Sequence, residues 1–123
     1  MIVLADTSVW VGHFRKNDRT LAELLSQASV LMHPFVWGEL ACGNLKNREV
    51  ILQQLQMLPS AIPATDEETL RTINVWKLWG HGIGWIDAHL LASALLSNCH
   101  LWTLDERLKR TAAASGVKLY QDD

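Results

Sequence analysis

The sequence predicts an α/β fold in which a central, mostly parallel sheet of four to five strands is flanked by helices. Two observations lead to this prediction. Short continuous apolar runs, typical of strands buried on both faces, alternate with helical segments along the chain. No linker, repeat or low-complexity stretch interrupts this alternation. Residues 1–123 are therefore predicted to form a single domain.

The first half of the chain contains two predicted strands. The apolar run at residues 2–5 is the first, and residues 30–32 form the second. Pro34 suits the first turn of the helix that follows, because a proline there gives up no intrahelical hydrogen bond. Apolar residues at helical spacing predict a further helix after it. The helices of this half are predicted at residues 9–14, 20–27, 35–42 and 49–58.

The second half begins with a short extended piece at residues 61–62, which two prolines bracket. Thr65 and Glu68 have the spacing of a capping box, which opens a helix reaching about Trp79. A loop containing three glycines occupies residues 80–84. The remaining elements are a helix at residues 85–97, a strand at 101–103, a helix at 106–114 that Gly116 ends, and a strand at 117–120.

Composition and charge narrow the possible classes of protein. The formal net charge of −2 gives no support to nucleic-acid binding, so such a partner would need local basic patches. No apolar run approaches the roughly 18 residues of a membrane span. Asp6 also interrupts what would be the apolar region of a signal peptide. Cys42 and Cys99 lack metal-binding or redox spacing, and we predict reduced packing residues in a cytoplasmic protein.

Two acidic residues, Asp6 and Asp105, directly follow predicted strands and precede helices. In parallel sheets, ligand sites lie at the carboxyl ends of the strands, which is where both residues fall. Aspartate is also a good helix N-cap. Capping alone therefore explains either residue as well as a functional role does.

Two further acids, Glu39 and Asp87, lie on predicted helices beside apolar residues. The helical neighbours of Glu39 are apolar or small, among them Phe35 and Val36, an unlikely place for a solvated carboxylate. The alternative, that Glu39 lies at the edge of the apolar stripe and reaches water, stays open. Asp87 heads the buried stripe of its helix, where an acid also complements the helix dipole.

Together the four acids predict a metal site more strongly than any one of them alone. Carboxylates that lie close together repel, and protonation or a cation relieves that repulsion. Ligand sets made only of oxygen favour Mg²⁺ or Mn²⁺ over Zn²⁺. One or two such ions commonly activate water for attack on a phosphodiester. The residues themselves therefore predict a metal-dependent phosphoryl-transfer site.

Four short motifs contain these acids: Asp6-Thr7-Ser8-Val9-Trp10, then Glu39, then Trp85-Ile86-Asp87-Ala88, then Thr103-Leu104-Asp105. In the order and spacing of these motifs the chain resembles the PIN-domain ribonucleases, and most closely the VapC toxins of bacterial toxin–antitoxin pairs. The resemblance covers essentially the whole chain. The resemblance implies that Asp6, Glu39, Asp87 and Asp105 are the catalytic metal ligands. It gives Ser8 and Thr103 as hydroxyl partners in or beside the coordination shell.

The resemblance also implies a PIN-like three-layer sandwich with the acids converging at the carboxyl edge of its sheet. The expected activity is endonucleolytic cleavage of single-stranded or loop RNA with one or two Mg²⁺ or Mn²⁺ ions. In-line attack by water would leave a 5′-phosphate and a 3′-hydroxyl. A small cognate antitoxin protein and a second copy of the chain are the expected partners, with no role for a membrane.

Other functions stay open on the sequence alone. A housekeeping PIN nuclease of RNA processing would carry the same acids. In a non-catalytic protein-binding module the acids would be helix caps, and Glu39 would pair with a basic residue. A haloacid-dehalogenase-like phosphatase expects an aspartate where this chain has Ser8, and a phospho-receiver expects an adjacent acid pair.

Basic and aromatic residues carry weaker signals. Basic clusters at residues 15–19 and 107–110 could contact RNA phosphates, although solvated helix faces give the same pattern. Tryptophans could stack on bases. For Trp10, Trp76 and Trp102 we predict a place in the core or in a subunit interface instead.

Overall fold

The computed structural model describes residues 1–121, and a parallel sheet lies at its centre. Within these residues the sheet has three strands in the order β2-β1-β3, namely β1 (Val3–Ala5), β2 (Val30–Leu31) and β3 (His100–Trp102). The chain passes from β1 to β2 on one side and later to β3 on the other. The carboxyl end of β1 therefore lies at a topological switch point, the usual position of ligand sites in open α/β sheets.

Seven helices accompany the sheet in the described residues, and every predicted helix is present. They are α1 (Thr7–Lys16), α2 (Arg19–Ser26), α3 (Pro34–Ala41), α4 (Arg48–Gln56), α5 (Asp66–Trp76), α6 (Trp85–Ser97) and α7 (Glu106–Ala114). Helix α1 begins at Thr7 rather than residue 9, because Asp6 is its N-cap. Helix α5 ends before residue 79, because Lys77 takes a left-handed conformation with φ 53°. The predicted α/β class with a parallel sheet is confirmed.

The prediction of four to five strands is wrong, because the two outer segments each make a single β-bridge. The first of these segments, at residues 60–62, leaves the sheet after its one pairing. The N–H of Ile62 then donates to the hydroxyl of Ser97 on α6 at 2.8 Å. Prolines on either side supply no N–H to a ladder. The predicted strand at residues 117–120 is likewise reduced to one bridged residue. The bridges join Met32 to Ser60 and Leu101 to Leu119, both in parallel.

The capping box predicted at the start of α5 is present. The Thr65 side chain accepts a hydrogen bond from the N–H of Glu68 at 3.0 Å, and Glu68 accepts one from the N–H of Thr65 at 2.9 Å. The bond from the Thr65 backbone stabilises the charged carboxylate and lowers the pKa of Glu68. Local sequence therefore sets where α5 begins.

The core lies between the sheet and the helices, and β1 is wholly buried within it. Trp10 and Trp102 are core residues as predicted, whereas Trp76 is 43% exposed. Cys99 is buried, but the prediction that Cys42 is a packing residue is wrong, because it lies exposed at the end of α3.

Among residues 1–121, no helix has the length and apolar character needed to cross a membrane.

Candidate metal centre

Asp6 lies at the carboxyl end of β1, at the switch point of the sheet, and only 6% of it is exposed. One carboxylate oxygen accepts a hydrogen bond from the N–H of Val9 at 3.3 Å, so Asp6 is also the N-cap of α1. Burial disfavours its charged form and raises the pKa of Asp6, although its hydrogen bonds partly offset that effect. A capping role and a functional role thus coexist at one residue.

Two hydroxyl groups hold the Asp6 carboxylate in place. Ser8 donates to one oxygen at 2.5 Å, and Thr103 donates to the other through a short hydrogen bond. Each hydroxyl in turn accepts a backbone N–H from the loop after β3, Ser8 from Leu104 and Thr103 from Asp105, both at 3.0 Å. The hydroxyls therefore join the ends of β1 and β3 and orient Asp6.

We expect Thr103→Val to lower the free energy of unfolding by about 1–3 kcal/mol, because the buried carboxylate loses one of its two hydroxyl donors. Thr103→Ser keeps that donor and should lose less than about 1 kcal/mol. Urea denaturation of the metal-free proteins measures both values. A loss in Thr103→Val no larger than that in Thr103→Ser would contradict a stabilising role of the hydrogen bond, because valine lacks only the hydroxyl and serine lacks only the methyl group.

Glu39 lies in α3 and is exposed, so the alternative that it reaches water is the correct one. Its helical neighbours Val36 and Leu40 are buried, whereas the Glu39 side chain reaches solvent. The hydroxyl of Thr7, at the start of α1, donates to Glu39 at 2.6 Å. Through this contact Glu39 reaches the residue next to Asp6, so it does belong to the same edge of the sheet.

Asp87 lies in the first turn of α6 and is half-buried. It accepts a hydrogen bond from the N–H of Gly84 at 3.3 Å. The pKa of Asp87 is raised, chiefly by burial and further by repulsion from Asp105, Asp6 and Glu39. The other three predicted acids are therefore close enough to act on the carboxyl group of Asp87. This shared repulsion is the clearest sign that the fold brings them together.

We expect Asp87→Asn to stabilise the metal-free protein at neutral pH. The pKa of Asp87 is higher in the folded protein than in the unfolded chain. At a pH between these two pKa values the folded protein binds more protons than the unfolded chain, so wild-type stability falls as pH rises through that range. The asparagine side chain of the variant does not ionise, so Asp87→Asn avoids this loss of stability. Its amide oxygen can still accept a hydrogen bond from the N–H of Gly84. Because the carboxylate is half-exposed and screened, the gain should be about 0.5 kcal/mol at pH 7 and absent near pH 3.

Urea denaturation in EDTA at both pH values measures the effect of Asp87→Asn. Asp18→Asn is the matched control, since Asp18 caps α2 through the N–H of Leu21 and does not act on Asp87. A gain that is the same at both pH values, or a gain in the control, would contradict relief of charge repulsion as the cause.

Asp105 is the N-cap of α7 and is exposed. One of its oxygens accepts hydrogen bonds from the N–H groups of Arg107 at 2.8 Å and Leu108 at 3.2 Å. The capping interpretation is correct for Asp105, as it is for Asp6. Asp105 also repels the Asp87 carboxylate, so the two acids lie near each other.

The four acids form an open cluster and not a closed cage. In the described part of the chain, no three histidine, cysteine, aspartate or glutamate side chains stand close enough to form a ready metal site. The donor set still fits a hard divalent cation, because it consists of carboxylate oxygens and three of its acids repel the fourth, Asp87. A cation at this edge of the sheet would lower the energy of every charged acid around it.

Comparison with known proteins identifies the family. The sequence model of the PIN domain matches residues 3–114, which include all four acids. This chain belongs to the PIN-domain family. That membership decides against the phosphatase and receiver alternatives.

Two curated relatives of this PIN-domain protein have the same name, Ribonuclease VapC32, from the CDC 1551/Oshkosh and H37Rv strains of Mycobacterium tuberculosis. Each is 44% identical to it over 122 residues, covering 98% of both chains. A VapC-type ribonuclease is therefore its close relative. The solved structure of PAE2754 from Pyrobaculum aerophilum superposes with a TM-score of 0.60 at 15% identity. That likeness covers 90% of this chain and 79% of the other, and it supports the fold.

Sequence reasoning overlooked Thr7, which is the direct partner of Glu39. A signal was available, since Thr7 is a hydroxyl residue between Asp6 and Ser8 at the end of a strand. It also overlooked the packing of Arg107 against the glycine loop. A Cβ added at Gly82 would lie 3.0 Å from the Arg107 side chain, so this basic residue is held beside the loop that precedes α6.

Proposed function

We propose that this PIN-domain protein is a Mg²⁺- or Mn²⁺-dependent endoribonuclease that cleaves single-stranded or loop RNA and acts as the toxin of a toxin–antitoxin pair. The observation that carries this proposal is 44% identity to Ribonuclease VapC32 over 98% of both chains. The gathering of four acids at the switch point of the sheet supports it independently.

In this proposal Asp6, Glu39, Asp87 and Asp105 hold one or two divalent ions. When bound, such ions activate water and stabilise the charge that develops on the phosphodiester. Ser8 and Thr103 fix the Asp6 carboxylate by their hydrogen bonds, so that it need not reorient to bind. Thr7 does the same for Glu39, whose exposed side chain would otherwise sample several rotamers.

The acids also define where the scissile phosphate is placed. Their negative charge repels an RNA backbone until a cation offsets it, so the metal-free protein should bind RNA weakly at this edge. In-line attack on phosphorus with loss of the O3′ leaving group gives a 5′-phosphate and a 3′-hydroxyl. The protein contributes position and charge, which is the usual division of labour in phosphoryl transfer.

A small cognate antitoxin protein, a homodimer and a cytoplasmic location complete the proposal. They rest on the relationship to VapC-type ribonucleases and on the sequence resemblance. Size-exclusion chromatography with light scattering tests the homodimer directly. Co-purification with the product of an adjacent small gene tests the antitoxin.

The decisive experiment is expression of the wild-type protein beside Asp6→Ala in a bacterium, with mapping of new RNA ends. Growth arrest with discrete cuts only in the wild type is the expected result. Equal growth, with purified protein that still cleaves RNA, would favour a housekeeping nuclease instead. Equal growth of both strains, without metal binding or cleavage in vitro, would favour the non-catalytic module.

A further inference from the structure

A cavity of about 620 Å³ lies between α1, α3 and α4, and Glu39 forms part of its wall. Its volume falls within the roughly 300–1,000 Å³ range of small-ligand sites. Because Glu39 also belongs to the acid cluster, the cavity adjoins the place where the scissile phosphate would lie. Neither the capping roles nor the metal site accounts for its other residues.

Two cations line this cavity, Arg15 at the end of α1 and Lys46 in the loop before α4. Both are exposed, and within residues 1–121 neither forms a salt bridge or a hydrogen bond. The one acid in the wall, Glu39, already accepts a hydrogen bond from Thr7. The cavity therefore offers unpaired positive charge to a ligand.

The rest of the wall is mostly apolar and firmly held. Val11, Phe14, Leu45 and Ile51 line the cavity and are partly buried against the core. The ring of Phe14 stacks on the buried ring of Trp10, with centroids 5.9 Å apart and an interplanar angle of 28°. Such a wall suits a flat aromatic group, while the two cations suit a phosphate.

We propose that this cavity holds one nucleotide of the RNA beside the cleaved phosphodiester, with Arg15 and Lys46 on its phosphate and the apolar wall against its base. The side-chain amide of Asn44, also in the wall, supplies hydrogen bonds to the base edge. This inference rests on the proposed ribonuclease function and deepens it. Unpaired cations together with an apolar wall favour a nucleotide over a segment of partner protein.

The test measures binding of a labelled single-stranded RNA to a cleavage-deficient Asp6→Asn protein in Mg²⁺ at several salt concentrations. Each phosphate contact in single-stranded RNA contributes about 0.7 to the slope of log K against log salt. Because both cations lie on one phosphate, adding Arg15→Ala and Lys46→Ala should reduce the slope by about 0.7 and weaken binding about fourfold at 0.15 M salt. The Asn44→Ala variant, made in the active protein, should cut the same RNA with altered base preference beside the cut.

The matched control adds Arg71→Ala and Lys118→Ala, which remove the same charge from exposed positions outside the cavity and outside both basic clusters. This control should keep the parent slope and affinity. An unchanged slope in the cavity variant, or an equal fall in the control, would overturn the proposal. Loss of neutralisation by the cognate antitoxin with RNA binding unchanged would also overturn it, and would assign the cavity to a protein partner.

The binding assay separates this inference from the proposed function, because it does not depend on cleavage. Cleavage of the same RNA by the wild-type protein is measured in parallel. If the wild type does not cleave while the slope falls as expected, the proposed activity is wrong and the nucleotide site stands. If the wild type cleaves and the slope does not fall, the activity stands and the site is wrong.

Discussion

Asp6→Asn should abolish RNA cleavage while the protein keeps its fold. Loss of several kcal/mol of metal-derived charge stabilisation corresponds to about a thousandfold fall in kcat/KM or more. Asparagine caps helices as well as aspartate does, so its oxygen can still accept from Val9 and Ser8 and keep α1 in place. The variant therefore separates the capping role of Asp6 from its role as a ligand.

Two measurements check the Asp6→Asn prediction, cleavage of a labelled RNA and the shift of the melting temperature with added Mn²⁺. We expect the free energy of unfolding without metal to change by about 1 kcal/mol at most, since one hydroxyl donor must reorient as the charge is removed. Asp18→Asn, at the N-cap of α2, should cleave normally. A stable Asp6→Asn protein that cleaves RNA at the wild-type rate would rule out Asp6 as a catalytic ligand.

Glu39→Gln is the second prediction with a large effect. The side chain is exposed and its amide oxygen can still accept from Thr7, so we expect no loss of stability. Removing one carboxylate from an open oxygen site should weaken Mn²⁺ binding at least about tenfold and lower cleavage in proportion. Isothermal titration calorimetry with Mn²⁺ measures the affinity.

The control for Glu39→Gln is Glu23→Gln, which neutralises an exposed acid on α2 away from the cluster. It should bind Mn²⁺ as the wild type does. If Glu39→Gln unfolds the protein, Glu39 is structural. If it binds Mn²⁺ normally but cleaves slowly, Glu39 acts on the RNA or the attacking water and does not hold the metal.

Element type and order were predictable because their signals are local. The capping box of Thr65 and Glu68 begins α5 as expected, and continuous apolar runs correspond to the three strands. Asp6 and Asp105 were recognised as residues that end strands and begin helices, and both are helix caps. Such features depend on neighbours within about four residues along the chain, which the sequence displays directly.

The exposure of Glu39 could not be predicted in the same way. Its helical neighbours are apolar, and two of them, Val36 and Leu40, are indeed buried. Whether a residue between them reaches solvent depends on where α1 and α4 pack against α3, and helical spacing does not contain that information. The strand count failed for a similar reason, since Ile62 finds a partner on α6 and leaves the sheet.

The α/β class, the helices, the PIN-type motifs and the four acids to test could all be recognised along the chain. That these acids come to one edge of the sheet is visible only in the folded protein. Placing β1 between β2 and β3 lets Thr103 donate to Asp6 across 97 residues of chain, and lets three other acids raise the pKa of Asp87. Local hydrogen bonding and periodicity depend on residues that are close in sequence. Proximity between residues that are distant in sequence exists only once the sheet has formed.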